Sequence, residues 1–193
     1  MRLSEIASDL IELAKKRGAL TFGDYVLSSG QRSSYYFDGR RLTLDPRGSR
    51  LTGSAFFRML QRYHVDAIGG PTLGADPIVT AVALTSGLEE RPIPAFIVRK
   101  EGKEYGMGRL IEGPLEPASR VAIVDDACST GASLFHAMDA AEAAGHQVVV
   151  VMAILDRRQG GSEELRRRGY DFLCLLEATP DGEIQPSPGL DCF

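Results

Sequence analysis

The feature that most constrains the fold of this chain is a regular alternation of short apolar segments with amphipathic ones. Apolar runs at 65–69, 95–99, 121–125, 148–155 and 172–176 alternate with helix-like stretches at 75–88, 133–144 and 162–168. Short apolar runs are typical of strands buried on both faces, and helices that connect such strands cover both sides of a parallel sheet. The pattern predicts an α/β fold with a central, mostly parallel sheet flanked by helices.

The N-terminal part of the chain predicts two helices with a hairpin between them. We expect the first helix to have Ser4 as its N-cap and to end at Gly18. The β-rich segments 21–27 and 34–37 flank a Ser-Ser-Gly-Gln sequence, which indicates a hairpin. Asp45, followed by a proline, is a suitable N-cap for a helix running towards residue 63.

Length and composition limit the class of protein. The chain has 193 residues, the size of one domain, and we expect a single domain over residues 1–193. A hydrophobic share of 44% and a charged share of 25% are typical of a soluble globular protein. The net charge of −4 provides no overall positive field, so we expect neither a nucleic acid nor an anionic membrane as partner.

The cysteines and the N-terminus favour the cytoplasm. The three cysteines lie far apart and form no CxxC pair, and the N-terminus lacks the basic and apolar regions of a signal peptide. The longest apolar run, 148–155, is shorter than the roughly 20 residues of a membrane-spanning helix. We therefore expect a protein of the reducing cytoplasm.

The segment 121–133 carries the strongest functional signal. An apolar strand delivers Asp125 and Asp126 at its carboxyl end, and small or hydroxyl residues and Gly131 follow where a helix begins. Free backbone amides at a helix start and nearby hydroxyls bind phosphate, whereas carboxylates accept hydrogen bonds from sugar hydroxyls. The segment predicts a site for a ligand that carries both a phosphate and a diol. The alternative is an ordinary helix cap without a ligand.

The long connection at 100–119 is a second candidate for function. The chain has only four lysines, and two of them, Lys100 and Lys103, follow Arg99 within a glycine-rich stretch. Long loops of this kind in compact domains are often lids, and cations that close over a leaving group act where negative charge develops. A solvated charged loop is the alternative. The glycines at 69–77 suggest close approach of backbone amides to an anion, or only a tight turn.

The segment 121–133 resembles the phosphoribosyl pyrophosphate signature of the type I phosphoribosyltransferases. Four further regions narrow the resemblance to the orotate phosphoribosyltransferase family, and they occur in the family's order. They are 27–30 with 35–38, 69–77, 98–103 and 155–157. The resemblance spans residues from about 20 to 160 and implies a type I phosphoribosyltransferase-like fold, with an N-terminal hood near 20–40 and a flexible catalytic loop near 100–119.

The resemblance also implies roles for individual residues in binding phosphoribosyl pyrophosphate. Asp125 and Asp126 would hold the ribose 2′ and 3′ hydroxyls, and with Lys103 they would be the catalytic residues. The 5′-phosphate would lie in a loop formed by Ala127, Cys128, Ser129, Thr130, Gly131, Ala132 and Ser133. The pyrophosphate would be gripped by Arg99, Lys100, Lys103 and Tyr105.

Further implications concern orotate, the metal and the partners. Ser129 and Arg157 would bind orotate, the latter through the fork that a guanidinium makes with a carboxylate. Mg²⁺ would be carried mainly by the substrate, without a metal site made by the protein. Lys103 would reach the site of a neighbouring subunit, which implies a homodimer with shared active sites.

Three positions depart from the commonest family pattern. Tyr105 occupies a position that is usually His, Ser129 replaces Thr, and Ser28 stands where many members have Lys. Tyrosine can donate a hydrogen bond but is not cationic near neutral pH, so the loop has one fewer potential positive charge. A phosphoribosyltransferase for another base, and an RNA-binding regulator of pyrimidine genes on the same fold, are the alternative functions.

Overall fold

The sheet expected from the alternating pattern forms the centre of the molecule. The computed structural model describes residues 1–26, 32–101 and 110–193. Within these ranges the sheet has seven strands in the order β5-β4-β3-β6-β7-β8-β9. They are β3 (Ala67–Pro71), β4 (Ala95–Val98), β5 (Ile111–Glu112), β6 (Arg120–Cys128), β7 (Gln147–Asp156), β8 (Phe172–Ala178) and β9 (Ile184–Pro186). The five inner strands are parallel and the two edge strands antiparallel, which confirms the prediction.

Helices cover both faces of the sheet and create two hydrophobic cores. The helices are α1 (Leu3–Arg17), α2 (Arg40–Thr43), α3 (Pro46–Leu60), α4 (Asp76–Leu88), α5 (Ala132–Ala143) and α6 (Gly161–Arg167). Along β6, Ala122 and Val124 join the core beneath α1, α3 and α4, while Val121 and Ile123 join the core beneath α5 and α6. This alternation is the two-residue period of a strand buried on both faces. None of the helices within the described ranges has both the length and the apolar character needed to cross a bilayer.

The expected hairpin forms a separate two-stranded sheet, here called the hood. β1 (Leu20–Val26) pairs antiparallel with β2 (Arg32–Phe37). Tyr35 and Phe37 point into the core, whereas Tyr36 between them is 43% exposed. Core packing therefore accounts for two of the three consecutive aromatics of β2, whereas Tyr36 turns outward.

The start of α1 differs from the prediction that Ser4 is its N-cap. The helix begins at Leu3, and the Glu5 carboxylate accepts a hydrogen bond from the backbone N–H of Arg2 at 2.8 Å. The Ser4 hydroxyl instead donates to Asp191 near the C-terminus at 2.6 Å. Asp45 does cap α3 as predicted, since it accepts hydrogen bonds from two amides of the first helical turn.

Two short strands lie in segments for which the sequence predicts no regular element. β5 lies within the connection at 100–119 and pairs with β4, and β9 lies in the C-terminal tail and pairs with β8. Both are edge strands of two or three residues, too short for a hydrophobic period.

Candidate active site

The carboxyl end of β6, in the middle of the sheet, carries the paired aspartates. Asp125 is only 6% exposed. One of its carboxylate oxygens accepts the backbone N–H of Asp126 at 2.9 Å, and the other accepts the Ser133 hydroxyl at 2.6 Å. Among the described residues, neither aspartate forms an ion pair with Lys, Arg or His. Two adjacent carboxylates thus lie at the carboxyl end of the sheet, and no cation from the described ranges is bonded to them.

Burial disturbs the ionisation of both aspartates. It raises the pKa of Asp125 to about 7, with a smaller contribution from the Asp126 charge and opposition from the Ser133 and Asp126 hydrogen bonds. Burial also raises the pKa of Asp126, against the hydrogen bond from Ala127 and the positive charges of Arg40 and Arg157. Perturbed carboxylates in a cleft are typical of functional sites, because a ligand supplies the donors that stabilise the charged form.

Two glycines provide the space around these carboxylates. Gly39 lies at the end of the hood, and a Cβ atom there would be 2.5 Å from the Cβ of Asp126. Gly74 follows β3, and a Cβ atom there would be 3.0 Å from a carboxylate oxygen of Asp126 and closer still to Asp125. Such distances are below normal carbon contacts, so both positions require glycine.

The aspartates line an open cleft of about 280 Å³ between the hood and the sheet edge. The hood, the turn after β3, the start of the 100–119 connection and the segment from β6 to α5 all contribute to it. The lining residues are Tyr36, Phe37, Asp38, Arg40, Pro71, Thr72, Leu73, Gly74, Lys100, Asp125, Asp126 and Ser133. Of the residues predicted for the site, Lys100, Asp125, Asp126 and Ser133 are brought together here. Sequence reasoning missed Asp38 and Arg40, which form an ion pair at 3.2 Å.

The segment 127–133, here called the phosphate loop, leads from β6 into α5. Gly131 has the left-handed φ of 81° that glycine favours, and α5 begins at the next residue. Thr130, Ala132 and Ser133 are exposed, so the loop is accessible to a ligand. Cys128 is fully buried, and burial raises the pKa of its thiol to about 12. Cys128 therefore takes part in the loop through its backbone.

Arg157 and Ser129 lie on adjoining turns. The backbone N–H of Arg157 donates to the carbonyl of Cys128 at 2.8 Å, and the N–H of Gly161 donates to the carbonyl of Ser129 at 2.9 Å. The Arg157 guanidinium donates to the Phe37 carbonyl at 3.2 Å and lies 5.3 Å from the centre of the Tyr35 ring. Arg157 therefore connects the end of β7 with the hood at the border of the cleft.

The cations after β4 separate in the structure. Lys100 lines the cleft, whereas the Arg99 guanidinium lies 3.8 Å from the Glu112 carboxylate on β5. The Arg99 carbonyl accepts a hydrogen bond from the His136 ring on α5 at 2.9 Å. Lys103 and Tyr105, predicted to grip pyrophosphate, lie outside the described residues, as does Ser28.

The glycines expected to admit an anion after β3 have different roles. Gly69 and Gly70 are buried within β3, where Cβ atoms would collide with the Phe96 ring and with the Val124 carbonyl. Packing between strands therefore explains why these two residues are glycine, and their occurrence is not evidence for an anion site. Gly74 is the one that faces the aspartates.

Comparison with solved structures defines the class of protein. Orotate phosphoribosyltransferase from Mycobacterium tuberculosis, solved with Fe(III) dicitrate, superposes with a TM-score of 0.78 and 38% identity, covering 89% of this chain and 96% of that one. The same enzyme solved with 5-phospho-α-D-ribosyl 1-diphosphate gives a TM-score of 0.75 and 35% identity, with the same coverage. An adenine phosphoribosyltransferase from Thermoanaerobacter pseudethanolicus shares the fold at 18% identity and a TM-score of 0.63, covering 86% of this chain and 99% of that one. The fold is that of the phosphoribosyltransferases.

Curated relatives identify the family within that class. Orotate phosphoribosyltransferase from Aquifex aeolicus is 42% identical over 172 residues, which covers 88% of this chain and 94% of the relative. That from a Nostoc species is 45% identical over 164 residues, covering 84% and 77% respectively. No protein-family model matches the chain. The chain belongs to the orotate phosphoribosyltransferase family, whose members are pentosyltransferases.

Proposed function

We propose that this chain transfers the 5-phosphoribosyl group of phosphoribosyl pyrophosphate to orotate, giving orotidine 5′-phosphate and pyrophosphate for UMP synthesis. The observation that carries the assignment of the site is the pair formed by buried Asp125 and half-buried Asp126, which lies beside an accessible phosphate loop. This pair accepts hydrogen bonds from hydroxyls and the loop donates them to a phosphate, as a ribose 5-phosphate requires.

The ribose and its phosphate would lie along the segment from β6 to α5. The 2′ and 3′ hydroxyls donate to Asp125 and Asp126, and the 5′-phosphate accepts from backbone amides and hydroxyls of the phosphate loop. Ser133 connects the two parts, because its hydroxyl already donates to Asp125 at 2.6 Å. The start of α5 adds the positive end of a helix dipole.

Orotate would bind between the hood and the turn after β7. Its carboxylate suits the planar guanidinium of Arg157, which is held near the Phe37 carbonyl. Ser129, half-buried on the adjoining turn, supplies a hydroxyl to the same ligand. Positioning of this kind places the pyrimidine nitrogen next to the ribose C1.

The chemical step breaks the bond between C1 and the pyrophosphate oxygen and forms the bond between C1 and the ring nitrogen of orotate, whose N–H proton passes to the leaving pyrophosphate or to solvent. Positive charge develops on the ribose and negative charge on the leaving pyrophosphate. Lys100 faces the cleft and stabilises that negative charge, and Arg99 would join it by leaving its ion pair with Glu112. Lys103 and Tyr105 belong to the proposed pyrophosphate grip and lie outside the described residues.

Mg²⁺ would enter with phosphoribosyl pyrophosphate and neutralise part of its charge. Among the described residues, no cluster of three or more His, Cys, Asp or Glu side chains could hold a metal ion. The donor set at the cleft is two carboxylates, and both oxygens of Asp125 already accept hydrogen bonds. Such a set suits hydroxyls and metal-bound waters rather than a cage of protein ligands.

A homodimer is supported by an apolar groove beside the cleft. Leu44, Leu73 and Leu84 are 63–72% exposed and line a groove of about 650 Å³ formed by α2, the start of α3 and α4. Leu73 lines both the groove and the cleft, so a second copy seated on the groove would border the active site. Sedimentation should show a dimer that Leu84→Glu dissociates.

Subunits that share active sites would complement one another. Mixing Lys103→Ala with Asp125→Asn chains should restore part of the activity that each lacks alone. Failure to restore activity in verified heterodimers would contradict shared sites.

The proposal also includes a cytoplasmic location, supported by the biosynthetic role and by the three cysteines, all of them free.

The reaction is tested by following orotate absorbance with and without phosphoribosyl pyrophosphate and Mg²⁺. Orotate should be consumed only when both are present, and the Asp125→Asn/Asp126→Asn variant is the control. Uracil and purine bases replace orotate in parallel assays, and pyrimidine-operon RNA is tested by filter binding. Turnover of another base, or RNA binding without turnover of orotate, would overturn the proposal.

A further inference from the structure

Two buried carboxylates lie side by side at the carboxyl edge of the sheet, next to the proposed orotate site. Asp156 ends β7 and is 1% exposed, and Glu177 on β8 is 7% exposed. The two residues are directly paired in the register of β7 and β8. Carboxylates this deeply buried require strong partners.

In the part of the chain that the structure describes, Arg158 forms the ion pairs of both carboxylates. Its guanidinium donates to Glu177 at 2.8 Å and lies 3.8 Å from Asp156, while its backbone N–H donates to Asp156 at 2.8 Å. The other carboxylate oxygen of Glu177 accepts the Gln185 amide at 3.0 Å. We call Asp156, Arg158 and Glu177 the Arg158 cluster. It holds the turn after β7 through bonds to both the backbone and the side chain of Arg158.

The backbone of Arg158 indicates why the turn needs this support. Its φ is +54°, a left-handed conformation that residues with a Cβ atom rarely adopt. A glycine would adopt this conformation at lower cost, so local backbone preference does not explain an arginine here. The bonds that Arg158 makes with the two carboxylates do explain it.

The turn held in this way determines where Arg157 points. Arg157 lies between Asp156 and Arg158, and its own backbone N–H is bonded to Cys128. With both neighbours fixed, the Arg157 side chain leaves the turn towards the Phe37 carbonyl of the hood. We infer that Arg158 is a positioning residue for orotate: the Arg158 cluster fixes the turn that directs Arg157 into the site. This inference rests on the proposed role of Arg157.

Substitution of Arg158 should raise KM for orotate more than KM for phosphoribosyl pyrophosphate. The phosphate loop is held by its own strand and helix, β6 and α5, and by the hydrogen bond between Asp125 and Ser133. The turn adds two backbone hydrogen bonds to this loop, from Arg157 and Gly161, and neither involves the Arg158 side chain. Loss of the Arg158 side-chain bonds therefore displaces the adjacent Arg157 more than the ribose phosphate site, which keeps these other supports.

The test compares KM for each substrate in four single variants. Arg158→Lys keeps the positive charge but loses the planar guanidinium. Arg158→Gly adopts the left-handed backbone readily but removes the side chain. Each should raise KM for orotate about tenfold and change KM for phosphoribosyl pyrophosphate less than about twofold. Arg167→Lys is the matched control, because Arg167 on α6 pairs only with Glu164 in the described residues, at 2.6 Å. It should leave both KM values unchanged.

The fourth variant, Arg157→Lys, separates the inference from the proposed function. If Arg157→Lys leaves KM for orotate unchanged, the orotate role of Arg157 is wrong and the positioning role fails with it. If Arg157→Lys raises it and the Arg158 variants do not, only the positioning role is overturned. Equal increases in both KM values, with a lower melting temperature, would show that the Arg158 cluster is merely structural.

Should both Arg158 variants fail to fold, Glu177→Gln decides the question. It keeps the size of the side chain and removes the charge of the carboxylate that the Arg158 guanidinium hydrogen-bonds, whereas Asp156 and Glu163 lie 3.8 and 3.9 Å from that guanidinium. We expect it to raise KM for orotate about threefold with KM for phosphoribosyl pyrophosphate unchanged, since one of the bonds to Arg158 is weakened. An unchanged KM for orotate in folded Glu177→Gln would overturn the inference.

Discussion

β6 and β7 are neighbours in the sheet, and the turns that follow them are built alike. Each strand carries a buried aspartate near its end, Asp125 in β6 and Asp156 in β7. Each turn then contains a glycine with a left-handed φ just before a helix, 81° at Gly131 and 95° at Gly160. Their electrostatics differ. Asp156 is paired with Arg158, whereas among the described residues Asp125 accepts bonds only from a hydroxyl and a backbone amide.

This difference in charge pairing distinguishes the turn after β7, which supports the site, from the turn after β6, which is proposed to bind the substrate. A buried carboxylate with a cation nearby, such as Asp156, has its charge compensated within the protein, and it stabilises the turn. A buried carboxylate without one keeps a raised pKa and capacity for a ligand. The same strand-to-helix turn can therefore support the substrate site or contact the substrate, depending on whether one arginine follows the aspartate.

The largest expected effect comes from neutralising the aspartates of each turn. Asp125→Asn/Asp126→Asn should lower kcat/KM for phosphoribosyl pyrophosphate by about 10²-fold or more, without loss of thermal stability, because the buried charges have no cation to lose. Asp156→Asn should instead destabilise the fold by about 2 kcal/mol, because it leaves Arg158 short of a partner. Melting curves and steady-state kinetics on the same samples check both. Equal losses of stability would contradict the comparison.

Gly131→Ala should have the next largest effect. A Cβ atom there would lie 2.9 Å from the Phe135 ring, in addition to the strain of a φ of 81°. We expect a loss of about 2 kcal/mol of stability and about tenfold weaker binding of phosphoribosyl pyrophosphate, because the phosphate loop is displaced. Calorimetric titration with the ligand measures the second effect, and undiminished affinity would exclude residue 131 from the phosphate site.

The ionisation of Asp125 predicts a pH dependence of stability in the absence of ligand. Its pKa rises from an ordinary 3.8 to about 7 on folding, so the folded state binds the proton more tightly than the unfolded one. Stability from this group is complete below about pH 4 and is lost as the pH rises towards 7, by on the order of 4 kcal/mol. Denaturant titrations from pH 4 to 8 should show the fall, and Asp125→Asn should remove it. A fall of the same size in Asp125→Asn would assign it to other groups.

Gly160→Ala should have the smallest effect. Gly160 also has a left-handed φ, yet a Cβ atom there would meet nothing within 4 Å. Only the conformational strain remains, about 1 kcal/mol, and KM for both substrates should stay unchanged. Denaturant midpoints of the two glycine variants side by side give the result. A larger loss in Gly160→Ala than in Gly131→Ala would reverse the distinction between the turns.

The central sheet and the aspartate pair could be predicted from sequence because their signals are local. Buried parallel strands are short apolar runs, and Asp125 and Asp126 directly follow one of them. The residues missed at the cleft come from far along the chain. Asp38 and Arg40 reach Asp126 only because the hood folds onto the sheet, and α2, with four residues, is too short to show a helical period.

Partners distant in sequence also explain two other differences between the predicted and the observed structure. Ser4 has the composition of an N-cap, but its hydroxyl bonds Asp191, which is 187 positions away. Gly69 and Gly70 look like a phosphate-binding turn in sequence, whereas the neighbouring Phe96 and Val124 determine them in the structure. Local chemistry predicts what a residue can do, and tertiary packing decides with which partner it does so.

The burial of Cys128 has a practical consequence for chemical labelling. This thiol lies within the phosphate loop, but with a pKa of about 12 almost none of it is thiolate at neutral pH. Cys174 is buried as well, and of the three cysteines only Cys192, in the short helical turn near the C-terminus, is exposed. A maleimide should therefore attach a single fluorophore at Cys192, and the unmodified chain can be used for ligand titrations without engineered cysteines.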